Sequence, residues 1–194
     1  MAGAGAGEAD GVACPAVMGS TTHQELTLEL TADVAEWCPL PSHRRLLAAG
    51  TYQLDEATQQ RHGRLHLYQL RGDLEAAGPA VAPLHLHPCG TLDLPGIFDL
   101  RWRPGGDAPA LAAALADGSV RLLEMEVGGG TQEGYVAAEV SEVTRSPARD
   151  GSMALSLDFS PAGGGGGGSV ISSFSCGTLR HFQVREPSVS VPYT

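Results

Sequence analysis

A sequence pattern that predicts two β-strands occurs three times in this chain of 194 residues. The repetition limits the folds that the chain can adopt. In residues 30–54, LTADVAEW precedes a Cys-Pro turn and LLAAGTYQL follows that turn. The second copy pairs IFDLRWRP (97–104) with ALAAALADGSVRLLEM (110–125), and the third pairs ALSLDFSP (154–161) with SVISSFSCGTLRHFQV (169–184). Each copy is an alternating strand that ends in an aromatic residue and a Pro, followed by a strand of small residues and a hairpin. This order is typical of one blade of a β-propeller.

The repetition predicts an all-β fold, an incomplete WD-repeat β-propeller of about three four-stranded antiparallel blades. The aromatic residues that end the first strand of each copy are Trp37, Trp102 and Phe159, and we expect them to occupy the same place in each blade. Residues 116–124, ADGSVRLLE, are similar to the end of a WD repeat, with Leu-Glu where that repeat usually has Trp-Asp.

The chain divides where its composition changes. Residues 1–20 are rich in Ala and Gly and predict a disordered leader, and residues 187–194 predict a tail. Between them, the propeller portion is predicted to span 21–186, with blades near 31–95, 96–145 and 152–186. Six consecutive glycines at 163–168 predict a flexible insertion between two strands of the third blade.

The number of blades is too small for a closed ring. Propellers have about four to eight blades, so three would leave two sheets exposed at the ends. The chain is therefore expected to be a fragment or truncated product of a longer protein, or to pair with another copy of itself. Residues 25–30, ELTLEL, alternate with a period of two and predict one more strand, which in a propeller commonly forms the outer edge of the last blade.

Charge and composition narrow the class of partner. The net charge of −10 argues against a nucleic-acid partner and suits either a cationic partner or a generic acidic protein. No apolar run has the length of a membrane span, and the start lacks the features of a signal peptide. Together with four scattered Cys residues and no CxxC pair, this predicts a cytoplasmic protein with reduced thiols and no membrane partner.

Familiar catalytic motifs are not found in the sequence. It has no G-x-S-x-G nucleophile elbow, no H-E-x-x-H zinc motif and, without Lys, no Walker A loop. The one metal-like cluster is His85, His87 and Cys89, whose side chains would share a face of an extended strand. The alternative is a polar loop before the second blade, because a fourth ligand is not obvious.

Several segments resemble one family. Residues 29–39 (ELTADVAEWCP), 50–54 (GTYQL) and 63–70 (GRLHLYQL) are similar to the amino-terminal blade of the WD-repeat diphthine methyl ester hydrolases, which have the older name diphthine methyltransferases. Residues 153–160 (MALSLDFS) and 171–184 (ISSFSCGTLRHFQV) resemble the third blade of that family. The sequence lacks the Gly-Gly-Asp-Asp-Gly and Gly-Trp-Asp-Thr-Arg type segments of the later blades, so the resemblance identifies no catalytic residue.

The resemblance implies a reaction and a partner. The family removes the methyl ester from methylated diphthine, a modified His of translation elongation factor 2, and releases diphthine and methanol. The exposed carboxylate is then amidated to diphthamide in an ATP-dependent step. The implied enzyme is a carboxylic ester hydrolase without a cofactor. The alternatives are a non-catalytic WD-repeat scaffold that binds other proteins, or a truncated fragment without activity.

Four acidic residues in or beside the three innermost strands are candidates for substrate binding: Asp33, Glu36, Asp99 and Asp158. Ligands of propellers commonly meet the loops at one end of the central channel, and carboxylates placed there would attract the trimethylammonium group of the implied substrate. The structural alternative is that these carboxylates cap turns or bridge neighbouring blades.

Overall fold

The computed structural model describes residues 24–72, 84–128, 138–145, 151–160 and 168–184. These residues form eleven β-strands and one short 3₁₀ turn at Pro41–His43. The predicted leader, the tail and most of the glycine run lie outside the described residues. Among the residues that are described, no helix has the length and apolar character needed to cross a bilayer. The predicted all-β class is confirmed.

The strands form three antiparallel sheets that follow one another along the chain. The first sheet contains, in spatial order, β1 (Thr31–Trp37), β2 (Leu46–Asp55), β3 (Gln60–Arg71) and β4 (His85–Pro95). The second contains β5 (Ile97–Trp102), β6 (Ala110–Leu115), β7 (Val120–Val127) and β8 (Ala138–Arg145). The third contains β9 (Ala154–Phe159), β10 (Ser169–Phe174) and β11 (Leu179–Gln183). Sheets built in this order are blades of a propeller, and the three do not close into a ring.

The aromatic residues at the ends of β1, β5 and β9 occupy equivalent places. Trp37 pairs with Leu47, Trp102 with Leu111, and Phe159 with Val170. The residue after each aromatic donates its backbone N–H to the next strand in the same way. These bonds are Cys38 N to Leu46 O at 2.8 Å, Arg103 N to Ala110 O at 2.7 Å and Ser160 N to Ser169 O at 2.8 Å. The predicted equivalence of the three aromatics is confirmed.

Two apolar clusters hold the sheets together. The first joins Leu65 and Leu67 of the first sheet to Leu100 and Trp102 of the second. The second cluster joins the Ala-rich strand β6 to Leu157, Phe159 and other apolar residues of the third sheet. Every residue of β6, ALAAAL, is buried, because this strand faces a neighbouring sheet on both sides. The small Ala side chains allow the second and third sheets to approach closely.

Two features differ from the sequence-based expectation. Residues 25–30 form no strand, although they alternate. The segment is held beside the first sheet by side chains instead: the amide of Gln24 bonds both the N–H and the C=O of Leu86, and Glu29 pairs with Arg64 at 2.7 Å. These side-chain hydrogen bonds and the ion pair hold the segment in the absence of a ladder of backbone hydrogen bonds. In addition, the third sheet has three strands rather than four among the described residues.

The turn between β6 and β7 has the geometry that the Asp117-Gly118 sequence predicts. Gly118 has a φ of +78°, which glycine adopts without strain. The Asp117 carboxylate accepts hydrogen bonds from the N–H and hydroxyl of Ser119 and lies 3.0 Å from the buried Arg121 guanidinium. Arg121 also reaches Glu142 at 3.2 Å. The network satisfies a buried cation and fixes the hairpin.

We expect Asp117→Asn to reduce the acid sensitivity of the fold. Burial raises the pKa of Asp117, but the hydrogen bonds from Ser119 and the charge of Arg121 outweigh burial and lower it overall. A lowered pKa stabilises the fold above the unfolded value of about 3.9, and this contribution is lost as pH falls through the folded pKa. The variant should therefore have a lower urea midpoint than the parent at pH 6, and the difference should shrink toward pH 3. The exposed Asp107→Asn serves as the control, and an equal pH dependence in both variants would contradict the assignment.

Candidate functional site

The first strands of the three sheets lie next to one another and bring three of the four predicted acidic residues together. β1, β5 and β9 take the position of the innermost strands of a propeller and carry Glu36, Asp99 and Asp158 respectively. Burial raises the pKa of Glu36, the backbone N–H of Trp102 and the charge of Arg101 lower it, and the negative charges of Asp99 and Asp158 raise it further. The charges of Asp99 and Asp158 therefore act on Glu36, and we refer to these three residues as the acidic cluster.

Glu36 links the first sheet to the second. Its carboxylate accepts the backbone N–H of Trp102 at 2.9 Å, and its backbone carbonyl accepts the indole N–H of the same residue, also at 2.9 Å. The half-buried carboxylate therefore supplies a hydrogen-bond acceptor to a backbone N–H at the edge of β5 that faces β1.

Asp99 links the second sheet to the third. One carboxylate oxygen, Oδ2, accepts the backbone N–H of Leu157 at 2.9 Å and the hydroxyl of Ser156 at 3.3 Å. The other, Oδ1, accepts the N–H of Leu100 at 2.9 Å and lies 3.0 Å from the Arg101 guanidinium. This buried carboxylate is fully engaged, so the geometry favours the blade-bridging alternative for Asp99.

The two remaining acidic candidates are exposed. Asp158 Oδ1 accepts the backbone N–H of Phe159 at 2.9 Å. Asp33 lies on the exposed side of β1 and, among the described residues, forms no hydrogen bond or ion pair with the other three. The acidic cluster therefore consists of Glu36, Asp99 and Asp158, with Asp33 outside it.

The candidate metal ligands lie on the outer strand β4. The rings of His85 and His87 meet edge to face with centroids 4.3 Å apart. Cys89 packs against the first apolar cluster, and burial raises the pKa of its thiol to about 11, which disfavours the thiolate that zinc requires. Within the described ranges, no three His, Cys, Asp or Glu side chains are grouped so that they could hold a metal ion. The metal hypothesis for His85, His87 and Cys89 therefore gains no support from the geometry.

A basic groove was not foreseen from the sequence. A cavity of about 370 Å³ lies between the 3₁₀ turn and the end of β7, and its lining includes His43, Arg44, Arg45 and Gln69. The Gln69 Oε1 atom is buried without a hydrogen-bond partner. In the sequence, the run His43-Arg44-Arg45 within an acidic chain is the feature that could have indicated this groove. Its charge suits an anionic group and opposes a cationic one.

We expect substitutions of Glu36 to separate its hydrogen bond from its charge. Glu36→Ala leaves the Trp102 N–H without its acceptor and should cost about 1–3 kcal/mol of unfolding free energy. Glu36→Gln keeps an acceptor oxygen, so its cost should stay within about 0.5 kcal/mol. Because the pKa of Glu36 is raised, the Gln variant should gain stability relative to the parent as pH rises from about 4 to 7. Urea denaturation of the three proteins tests this, and equal losses in both variants would contradict it.

Comparison with known proteins identifies the relatives of the chain. No family model matches it. Human diphthine methyltransferase is 32% identical over 88% of this chain and 40% of its own length. The mouse protein of the same name is 30% identical over 84% of this chain and 35% of its own, and that of Schizosaccharomyces pombe is 33% identical over 61% and 30%. The chain thus spans about two fifths or less of the length of these curated relatives. The resemblance inferred from the sequence is confirmed: along most of its length, this chain is related to the diphthine methyltransferases.

Proposed function

We propose that this chain acts in diphthamide biosynthesis, where it hydrolyses the methyl ester of methylated diphthine on translation elongation factor 2. The observation that carries the proposal is the relationship to proteins named diphthine methyltransferase, which covers most of the chain and includes the segments quoted above. The products are diphthine and methanol, and water is the co-reactant.

The name of the relatives and the proposed reaction describe opposite changes, the addition and the removal of a methyl group. A methyltransferase adds a methyl group, whereas an ester hydrolase removes one. The acidic cluster is compatible with hydrolysis: the ester substrate carries a trimethylammonium cation, and hydrolysis adds a carboxylate beside it. Glu36, Asp99 and Asp158 would therefore attract the ester more strongly than the product, which helps the product to leave.

The structural bonds of the cluster are compatible with this role. A hydrogen bond from a backbone N–H does not remove the charge of an ionised carboxylate, so Glu36 and Asp99 can bridge sheets and still contribute to the field around the inner strands. Arg101, which pairs with Asp99, offsets part of that field. The proposed function of the cluster is long-range attraction of a cation, and Asp33 adds a further exposed charge on β1.

Intact-mass measurement tests the reaction directly. Elongation factor 2 carrying methylated diphthine is incubated with the chain and without a methyl donor. Loss of one methyl group, with a hydrogen in its place, supports hydrolysis. If the mass stays unchanged without a donor, and unesterified diphthine gains a methyl group once a donor is added, transfer is the reaction and the proposal is wrong. Elongation factor with unesterified diphthine is the control in the donor-free arm.

A non-catalytic interaction module, or an inactive fragment, is the second candidate. The exposed apolar side chains of the first and third sheets favour a module, because such residues on a folded surface mark interaction sites. Binding to the elongation factor with no change of mass in either arm would favour the module, and neither binding nor reaction would favour the inactive fragment.

A further inference from the structure

The basic groove gathers positive charge in a chain that has an excess of acidic residues. The sequence has 22 Asp and Glu residues against 12 Arg residues, so carboxylate partners are plentiful. Elsewhere in the fold such pairs do form, since Arg101 binds Asp99, and Arg121 binds both Asp117 and Glu142. None of the described residues that line the groove is Asp or Glu. The groove therefore holds cations that the chain itself does not neutralise.

The basic side chains of the groove keep donor groups available. Arg44 is exposed, and its side chain forms no hydrogen bond or ion pair with another described residue. Arg45 is half-buried and donates from Nη1 to the Gly72 carbonyl oxygen at 3.0 Å, a neutral acceptor that leaves its charge uncompensated. The Nδ1 atom of His43 lies 2.9 Å from the Ser42 hydroxyl, so Nε2 is the ring nitrogen that a ligand could engage. These groups together suit an anionic ligand.

The walls of the groove are held in place by the first two sheets. Gln69 belongs to β3, and Val127 ends β7. The 3₁₀ turn is fixed to the first sheet, because Leu46 pairs with Gln69 and the N–H of Leu70 donates to the carbonyl oxygen of Arg45 at 2.8 Å. The groove is therefore formed where two described sheets meet, and a ligand would find its basic residues already positioned.

The donors of the groove suit a carboxylate better than a phosphate. Phosphate sites commonly use several backbone N–H groups at the start of a helix or in a tight turn. Here the 3₁₀ turn begins with Pro41, which has no N–H, and the N–H of His43 already donates to the carbonyl oxygen of Leu40 at 2.9 Å. The donors that remain are on side chains, and the planar guanidinium group of Arg matches a planar carboxylate with two parallel hydrogen bonds.

The size and walls of the groove favour a peptide segment over a free anion. Its volume of about 370 Å³ lies within the range of about 300–1,000 Å³ that is usual for ligand sites. Pro41 and Val127 add apolar surface, which a small anion would leave uncovered. The net charge of −10 repels an acidic ligand at long range. At an ionic strength of about 0.15 M, however, the Debye length is about 8 Å, so the charges in contact dominate.

We propose that the basic groove binds a segment of a partner protein that is rich in Asp and Glu. Carboxylates of the segment pair with Arg44 and Arg45, and its apolar atoms pack against Pro41 and Val127. This binding is separate from the proposed ester hydrolysis, because the groove shares no residue with the acidic cluster and its charge repels the trimethylammonium group of that substrate. The failure of either proposal therefore leaves the other untouched.

Fluorescence anisotropy with a defined peptide tests the binding. The full chain is titrated, at an ionic strength of about 0.15 M, into a fluorescein-labelled peptide that contains six consecutive Glu residues, and into the same peptide with Gln in their place. The Glu peptide should bind and the Gln peptide should not. Arg44→Glu should weaken binding about tenfold, because it replaces an attraction with a repulsion at an exposed position that has no structural bond.

Arg61→Glu is the matched control. Arg61 also precedes a His and lines another cavity, of about 390 Å³, but that lining includes the Asp117 carboxylate. The substitution makes the same change of charge outside the basic groove, so affinity should change less than about twofold. Far-UV circular dichroism verifies that both variants are folded. Equal losses of affinity in the two variants would show that net charge, and not the groove, determines binding, and would overturn the proposal.

Further results would also overturn the proposal. The wild-type chain might bind neither peptide at millimolar concentration, which excludes an acidic segment as the occupant. Free glutamate or inorganic phosphate that displaces the Glu peptide as effectively as unlabelled peptide does would define a small-anion site instead. A phosphoserine peptide that binds where the Glu peptide does not would assign the groove to phosphorylated segments. Each of these outcomes contradicts recognition of carboxylates along a peptide.

Discussion

The Trp102→Ala variant is expected to lose about 3–5 kcal/mol of unfolding free energy, the largest loss among the substitutions considered. Trp102 is buried in the cluster between the first two sheets, so truncation leaves a cavity where both sheets meet. It also removes the indole hydrogen bond to the Glu36 carbonyl. Urea denaturation followed by circular dichroism measures the loss.

The matched control is Trp37→Ala, since Trp37 holds the same place in the first sheet. Nearly half of the Trp37 surface is already exposed, so its truncation should cost less than about half as much. Equal losses in the two variants would show that the exposure of these two aromatics is wrongly assigned.

The Gly63→Ala variant is expected to lose about 2–3 kcal/mol. A Cβ atom at Gly63 would lie 2.5 Å from the carbonyl oxygen of Thr51, 2.8 Å from that of Pro95 and 2.9 Å from the Gly96 Cα. All three are backbone atoms beside β3, so they cannot withdraw without disturbing the sheet. Thermal or urea denaturation measures the cost.

Gly105→Ala is the control for this substitution. A Cβ atom at Gly105 would meet no heavy atom within 4 Å, so this variant should stay within about 0.5 kcal/mol of the parent. A Gly63→Ala protein as stable as the control would mean that the strands beside Gly63 separate more easily than the close packing indicates.

The repeated two-strand pattern was sufficient to predict the fold because the sequence features that define it are local. An aromatic residue, one further residue and a Pro end the first strand of every copy, and alternation defines which side chains share a face. Exposure could not be predicted in this way. Trp37 and Trp102 have nearly the same local sequence, yet one is exposed and the other buried, since burial depends on whether another sheet lies alongside. The strand predicted at residues 25–30 is not formed for a related reason. Alternation indicates that a segment can form a strand, but not that the edge of another strand is available to pair with it.

The site was predictable in position but not in bonding. Four acidic residues were predicted in or beside the inner strands; Glu36, Asp99 and Asp158 lie on β1, β5 and β9 as a group, whereas Asp33 lies outside that group. Which backbone N–H each carboxylate accepts depends on the packing of sheets whose strands are 66 and 58 residues apart in sequence. The basic groove could not be assembled from the sequence either, because its lining combines the 3₁₀ turn, β3 and the end of β7.

The complete burial of β6 has a consequence for motion. Amide hydrogens exchange with solvent only when the structure around them opens, and opening is easiest where fewest layers must separate. The second sheet is flanked on both sides, so the amides of β6 should exchange slowest. The first and third sheets can open locally at their outer sides while the second sheet stays folded. Local opening should therefore be most frequent in the two end sheets and least frequent in the middle one.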